Sequence, residues 1–313
     1  MQTQPSNATS INSSKPPLLM RIKDEIKRNL FVYIVLIPIL LHFTIFHVIP
    51  FIFSFILTFL NYRVVGKSDF VGLQNWLQLL NDPIAWKSLW NTFLFSLYYI
   101  LPTLALGLIL ALIINSRIRF TNFFKGVFFL PVVTSFVIIA GIWDWLFSGT
   151  ASGFINYILS FFGIEPQLFL SNETQAMPVL AGLSIFKVSG QIMVYYFAGL
   201  KSIPNDIYEA AKIDGASPLR TFWSITFPLL KPIHFYCLII TTIGSFQIFD
   251  SVYLLTNGGP NFATSTIVYY LYSQGFTNLN FSYAAVLSYV LFAIIFFVSL
   301  LQRKYFGKDQ NIF

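Results

Sequence analysis

Charged residues are scarce in this sequence: Asp, Glu, Lys and Arg together make up 10% of its 313 residues. A soluble domain carries roughly 25% charge, so a water-soluble globular enzyme is excluded. Hydrophobic residues reach 56%, and six apolar runs of about 20 residues each would leave only short connections between them. We therefore expect one compact membrane domain and no second large domain.

Residues that form disulfides or bind metals are also few. Cys237 is the only cysteine and lies inside an apolar run, which excludes an intrachain disulfide and a cysteine-based zinc site. The histidines, His42, His47 and His234, lie in or beside apolar runs without a His-Glu pattern of metal-ligand spacing. We interpret Cys237 as small apolar filler and the histidines as packing residues, and we predict no metal site.

Nucleotide and nucleic-acid binding are not indicated either. No G-x-x-x-x-G-K-[ST] motif occurs, so the chain has no such loop to hold the phosphates of a nucleotide. The net charge of +7 comes from Lys and Arg that do not cluster on one element, which argues against a nucleic-acid partner. Any ATP used must be hydrolysed by another protein.

Continuous apolar runs predict six membrane-spanning helices, because a helix satisfies its own backbone in lipid and the alternating pattern of a β-barrel is absent. The predicted runs are Leu30 to Leu60, Phe93 to Ile114, Val127 to Phe147, Val179 to Leu200, Ile233 to Leu255 and Tyr283 to Leu301. The first run is longer than the ~30 Å hydrocarbon core requires, so we expect it to tilt or to kink at Pro50.

Basic residues predict the orientation of these spans. They concentrate before the first span, between the second and third, between Lys201 and Lys231, and after the sixth, whereas the alternate segments hold only Arg63, Lys67 and Lys87. By the positive-inside rule both termini are cytoplasmic. The predicted divisions are a tail (1–29), the first helix (30–60), an extracytoplasmic segment (61–90), a five-helix domain (91–302) with a loop at 201–232, and a second tail (303–313).

The connection between the fourth and fifth spans predicts two short helices. Ser202 is expected to cap the first, with Pro204 in its first turn and Gly215 as the left-handed residue that ends it. Ser217 is expected to cap the second, with Pro218 at its first position.

This connection is also a candidate docking surface. An interfacial helix lying on lipid is the alternative, but anionic headgroups would repel Asp206 and Glu209. Docking to a cytoplasmic protein is therefore the favoured interpretation.

Glu209-Ala210-Ala211 is followed at fixed spacing by Gly215, Ile225 and Pro228, with Phe227 where Leu is usual. This pattern resembles the loop signature of the membrane subunits of binding-protein-dependent ABC importers. The resemblance implies a coupling helix that sits in a groove of a separate ATPase. The residues to which it assigns ATPase coupling are Asp206, Glu209, Ala210, Ala211, Asp214 and Gly215.

Two further segments, Phe70 to Trp76 and Phe249 to Pro260, are similar to the carbohydrate-uptake branch of this family, in the first permease of maltose-type and glycerol-phosphate-type systems. The resemblance extends from Leu30 to Leu301. It implies an all-α integral membrane protein with the type I ABC importer permease fold, which is a transport subunit and binds no cofactor. The implied partners are a second permease subunit, an ABC ATPase dimer that uses ATP and Mg, an extracytoplasmic solute-binding protein, a carbohydrate and the lipid of a bacterial inner membrane.

Polar residues inside the spans are candidates for the solute pathway, because a charge in lipid costs at least about 2.5 to 3.5 kcal/mol without a partner or water. Lys187 is expected either to pair with Asp250 or Asp144 or to contact a solute, in which case it hints at an anionic group such as phosphate. Hydrogen bonds between helices explain the polar residues of the fifth span as often as a sugar does, although neighbouring aromatic rings favour a sugar. The candidate pathway residues are Ser184, Lys187, Gln191, Ser245, Gln247, Phe249 and Asp250.

Three other functions stay open at this point. An ion-driven carrier would show internal repeats and broken helices at the midplane; no convincing repeat is present, though Pro102 and Gly190 are expected to interrupt two spans. A membrane enzyme would need more acidic groups at one surface than Asp144 and Asp250. The Glu209 pattern alone also allows a polyamine, peptide or ion importer.

Overall fold

The computed structural model describes residues 28–116 and 120–307. Four helices there are single membrane-spanning candidates: Leu30–Leu57, Pro83–Asn115, Ala176–Ser202 and Phe281–Phe306. Two bent pairs complete six spans: Thr121–Val133 with Phe136–Leu146, and Pro218–Leu229 with Lys231–Phe246. The all-helical, six-span architecture is therefore confirmed. Most of the predicted N-terminal tail, Arg117, Arg119 and residues 308–313 lie outside the described residues.

The first span forms a contact unit of its own up to Ile56. A π-helical turn, Thr44–Val48, lies within it, two residues before Pro50. Proline has no backbone N–H to donate to the preceding turn, so the irregularity occurs next to the proline where the sequence predicts a kink. This helix ends at Leu57 rather than Leu60.

Short elements connect the remaining spans. Two strands, Leu60–Asn61 and Asp69–Phe70, pair antiparallel after the first span, with Leu60 opposite Phe70. The other connecting helices are Gln74–Leu80, Phe154–Ser160, Asn205–Ile213, Asp250–Leu255 and Ile267–Tyr272, with a 3₁₀ turn at Phe169–Ser171 and a π-helical turn at Ser273–Thr277. The second span begins at Pro83, ten residues before the predicted start at Phe93.

Close helix packing builds the core of the second contact unit, which begins at Leu57. A Cβ at Gly107 of the second span would lie 2.5 Å from Ile192 Cγ2 of the fourth span, so the two helices meet along a small residue. Pro102 and Gly190 lie inside continuous helices, so the prediction that they interrupt their spans is wrong. At Gly190 the absence of a side chain lets the third span pack against the fourth, whereas Pro102 lies at an exposed position of its helix.

The third span is broken, which the sequence did not predict, and the short helix that the sequence predicts from Pro218 joins the fifth span at a bend. The two halves of the third span differ by 93°, and those of the fifth span by 66° at Leu230, which lies between Pro228 and Pro232. The fifth span is also not continuous to Leu255, because one helix ends at Phe246 and the next begins at Asp250. Prolines near both bends remove backbone donors and favour a change of direction.

Candidate functional site

The helix Asn205–Ile213 lies between the fourth and fifth spans and is closed as the sequence predicts. Gly215 has a φ of +72°, its N–H donates to the Lys212 carbonyl (3.1 Å), and the Ala216 N–H donates to the Ala211 carbonyl (2.9 Å). These two bonds form a Schellman closure, which satisfies carbonyl groups at the helix end. Glycine is the residue that adopts this left-handed conformation without strain.

The predicted caps of this connection have different outcomes. The Ser202 hydroxyl donates to the Gly199 carbonyl within the fourth span (2.8 Å), so its predicted cap is wrong; the short helix begins after Pro204. Ser217 does cap the second helix, because its Oγ accepts from the Arg220 N–H at 3.3 Å, and Pro218 occupies the first helical position as predicted.

The helix Asn205–Ile213 has one packed and one open face. Ala211 is buried, and the Tyr208 hydroxyl lies 3.3 Å from Thr226 Oγ1, so this side holds the helix against the following segment. Ile213 at the tip is 87% exposed. Apart from the buried Ala211, the predicted coupling residues are also exposed: Asp206, Glu209, Ala210, Asp214 and Gly215. The open face therefore presents the apolar Ile213 beside the charged side chains of Asp206, Glu209 and Asp214.

The end of the fifth span carries the candidate pathway residues that remain accessible. Gln247 and Asp250 are exposed, and Phe249 is half-buried. The Phe249 ring stacks on Tyr253, with centroids 5.2 Å apart, and its centroid lies 5.0 Å from that of Tyr272. We call Phe249, Tyr253 and Tyr272 the aromatic strip. Ser245 and Phe249 do not share a helical face, because the helix is broken between them.

Other candidate pathway residues have partners inside the protein. Ser184 and Ser245 are buried, and their hydroxyls donate to the carbonyls of Leu180 (3.1 Å) and Thr242 (2.7 Å) in the same helices. Gln191 donates from Nε2 to the Tyr195 hydroxyl at 2.9 Å. The structure therefore does not bring the seven candidates together into one polar surface.

Lys187 is placed at the break of the third span. Its Nζ lies 2.6 to 2.8 Å from the backbone carbonyl oxygens of Pro131, Val132 and Thr134. Within the described residues it forms no ion pair with Asp144 or Asp250, so the predicted pairing is not present. On the second half of the third span, Trp143 donates from Nε1 to the Val179 carbonyl at 3.1 Å.

Asp82, a carboxylate that the sequence did not single out, joins the second span, the helix Ile267–Tyr272 and the sixth span. Asp82 Oδ1 caps the second span by accepting from the N–H groups of Ile84 (2.9 Å) and Ala85 (3.1 Å). Its Oδ2 accepts from the hydroxyls of Tyr270 and Tyr283, each at 2.6 Å. Burial alone would raise the pKa of Asp82, but these four hydrogen bonds outweigh it and lower the pKa below its ordinary value.

The signal for this cluster is only partly local. An Asp-Pro pair before an apolar run is a recognisable helix start, so Asp82 was predictable as a cap. Nothing in the order of residues brings two tyrosines 188 and 201 positions later to the same oxygen.

The turn at Asn257 to Pro260 belongs to a loop that is fixed on the second span. Asn91 Nδ2 donates to the carbonyls of Phe262 (2.8 Å) and Ser265 (3.0 Å), and Lys87 Nζ donates to the Asn261 carbonyl at 2.7 Å. The residues that follow this turn are thus held by side chains of the second span.

Comparison with known proteins identifies the architecture. Residues 85–305 match the family model described as "Binding-protein-dependent transport system inner membrane component". The chain belongs to this family. It is 35% identical to the arabinooligosaccharides transport system permease protein AraP of Bacillus subtilis, over 89% of each chain. It is 31% identical to the trehalose/maltose transport system permease protein MalF of Thermococcus litoralis, over 87% of this chain and 92% of the relative.

A solved structure has the same fold. A chain of the bacterial alginate ABC transporter, in complex with alginate pentasaccharide-bound periplasmic protein, aligns with a TM-score of 0.80 at 24% identity. The alignment covers 91% of this chain and 96% of that chain. The predicted type I ABC importer permease fold is confirmed.

Family membership decides between the classes left open by the sequence. The chain is a multi-pass membrane permease and a transport component rather than an enzyme, and systems of this family work with a solute-binding protein and an ATPase. The ion-driven carrier and the membrane enzyme are excluded. Broken spans, which we expected of a carrier, are present here, so that feature does not separate the two transporter classes.

Proposed function

We propose that this chain is the permease subunit of an ATP-driven sugar importer and forms one half of a translocation pore that a second permease subunit completes. The names of its relatives support a sugar: AraP is named for arabinooligosaccharides and MalF for trehalose and maltose. ATP and Mg are used by a separate ATPase dimer. The distribution of basic residues supports a bacterial inner-membrane location with both termini cytoplasmic.

One observation carries the coupling role: the helix Asn205–Ile213 leaves the fourth span after a two-residue link and presents an open face. In this function the ATPase docks on that face, and its closure displaces the helix. The fourth span moves with it, and the pore changes from inward to outward access. Hydrolysis of ATP resets the pore.

The coupling role is tested at the tip of this helix. Burying a side chain such as Ile213 contributes about 1.5 to 3 kcal/mol, so Ile213→Ala is expected to weaken ATPase binding at least about tenfold. Glu209→Ala is expected to reduce solute-stimulated ATP hydrolysis in proteoliposomes. The matched control is Val65→Ala, because Val65 is 88% exposed in the segment predicted to be extracytoplasmic.

The same two variants can also refute the coupling role of the helix Asn205–Ile213. If Ile213→Ala and Glu209→Ala bind and stimulate the ATPase as well as the Val65→Ala control does, this helix is not the coupling element. Insertion of each variant is checked by its yield in the membrane fraction.

The aromatic strip supports a sugar as the solute. The rings of Phe249, Tyr253 and Tyr272 provide apolar faces, and Gln247 and Asp250 beside them provide hydrogen-bonding groups for hydroxyls. Phe249→Leu keeps the apolar volume but removes the ring. It is expected to lower sugar uptake, whereas Phe31→Leu, at an exposed ring of the first span, leaves uptake unchanged.

Uptake into proteoliposomes that contain the full importer and its binding protein measures this difference. A panel of neutral oligosaccharides, phosphorylated sugars, peptides and polyamines is offered in parallel. If a peptide or polyamine is transported and no sugar is, the assignment as an importer permease still holds but the carbohydrate assignment is rejected.

A further inference from the structure

The third span is broken at a point where its backbone needs partners. The helix Thr121–Val133 ends there, and the helix Phe136–Leu146 continues at 93° to it. A helix leaves its last carbonyl groups without intrahelical donors, and the hydrocarbon region offers no water to bond them. At this break the Thr134 N–H donates back to the Leu130 carbonyl at 3.1 Å.

Lys187 of the fourth span supplies donors to the carbonyl groups that follow. Its Nζ lies 2.8 Å from the Pro131 oxygen, 2.8 Å from the Val132 oxygen and 2.6 Å from the Thr134 oxygen. An ammonium group has three N–H bonds, so these three contacts use its whole capacity. A positive charge at the carboxyl end of a helix is also favoured by the helix dipole.

Two other contacts hold the halves of the third span on the fourth span. Gly190, three residues after Lys187, lies against the first half, where a Cβ would overlap the Phe128 carbonyl oxygen. On the second half, the indole of Trp143 donates to the Val179 carbonyl. The fourth span therefore contacts the third span before, at and after the break.

We propose that Lys187 is a positioning residue: it caps the break of the third span and holds the two halves of that span at a fixed angle on the fourth span. The fourth span leads directly to the helix Asn205–Ile213. Movement of that helix thus reaches the third span through this cap, a step that rests on the proposed coupling function. The cap itself does not rest on it. Because all three N–H groups are engaged by the backbone, the ammonium is not the ligand of an anionic solute.

The angle between the two halves is measured directly by electron–electron distance spectroscopy. Spin labels are placed at Phe123→Cys and Ile142→Cys, exposed positions on either side of the break, in a Cys237→Ser background. The chain is assembled with cysteine-free partner subunits in lipid nanodiscs, without solute or ATP. The variants are Lys187→Met and Lys187→Arg, and the matched control is Lys67→Met, at an exposed lysine of the segment predicted to be extracytoplasmic.

We expect one narrow distance peak in the parent and in Lys67→Met, loss of that peak in Lys187→Met, and its recovery in Lys187→Arg, which keeps charge and donors. A narrow parental peak in Lys187→Met would overturn the proposal. Equal broadening in Met and Arg variants would also overturn it. If Lys187→Met does not assemble, Lys187→Gln gives the same comparison, because it keeps two N–H donors without the charge. We expect its distance peak to be partly broadened, and an unbroadened peak would refute the proposal that Lys187 caps the break. Because no solute or ATPase cycle is used, failure here is distinct from failure of the coupling role.

Discussion

Removal of the Asp82 carboxylate should destabilise the protein by an amount that the structure allows us to work out. Asp82→Ala removes an N-cap, worth about 1 kcal/mol. It also removes the acceptor of two tyrosine hydroxyls whose side chains are buried. A hydrogen bond to a charged group contributes about 1.5 to 3 kcal/mol. We use the lower value because Asp82 is only half-buried, and the sum is about 4 kcal/mol.

The single cysteine provides the assay. Cys237 is fully buried, so a fluorescent maleimide should label it only as the protein unfolds. Labelling is followed against temperature, and the chain is separated from its partners on a gel. At about 2.1 cal/mol/K of unfolding entropy per residue, a loss of about 4 kcal/mol in a chain of 313 residues corresponds to a fall in the midpoint of about 6 °C. Asp82→Asn, which keeps the cap and one acceptor oxygen, should fall by about half as much.

The matched control is Asp69→Ala, which removes an exposed carboxylate from the strand Asp69–Phe70. Its midpoint should stay near that of the parent. A midpoint for Asp82→Ala equal to that of Asp69→Ala would refute the conclusion that the carboxylate joins the three elements.

Two further predictions concern acid stability and helix packing. The folded state lowers the pKa of Asp82 below its ordinary value of 3.8, so the stability that this carboxylate contributes is complete above that value and is lost as the pH falls through the lower folded-state pKa. Thermal unfolding followed by tryptophan fluorescence should therefore show the midpoints of the parent and Asp82→Asn converging in acid. A difference between the midpoints that does not change with pH would contradict this prediction. Gly190→Ala forces a methyl group onto the Phe128 carbonyl and should cost about 1 to 3 kcal/mol of stability. Gly141→Ala, which has open space around it, should be neutral or slightly stabilising. Equal midpoints for the two variants in the Cys237 assay would show that the third and fourth spans do not touch at Gly190.

Local sequence signals predicted the connection between the fourth and fifth spans well. Gly215 and Ser217 act at their own positions, because a left-handed closure and a serine cap depend on neighbouring residues only. Ser202 was misassigned because the fourth span continues through it. The side-chain oxygen that the sequence offers as a cap bonds within the preceding helix instead.

The same local reasoning failed for the interruptions of the spans. Pro102 and Gly190 looked like breaks and are not, whereas the real break of the third span follows Pro131. A glycine in a membrane helix is tolerated when a neighbouring helix packs against it, as the third span does at Gly190. Which residue has such a neighbour is decided by packing and not by hydropathy.

Hydropathy and the Glu209 pattern together determined the class of this protein: six apolar spans and a short exposed helix between the fourth and fifth. These properties follow from the sequence because burial in lipid and helix closure depend on a continuous run of residues. Only the tertiary structure decided the partners of Lys187 and Asp82. Lys187 binds carbonyls of another span, and Asp82 binds tyrosines 188 and 201 residues later. Such partners depend on how the helices are positioned relative to one another, and a single sequence carries no direct record of the distances between helices.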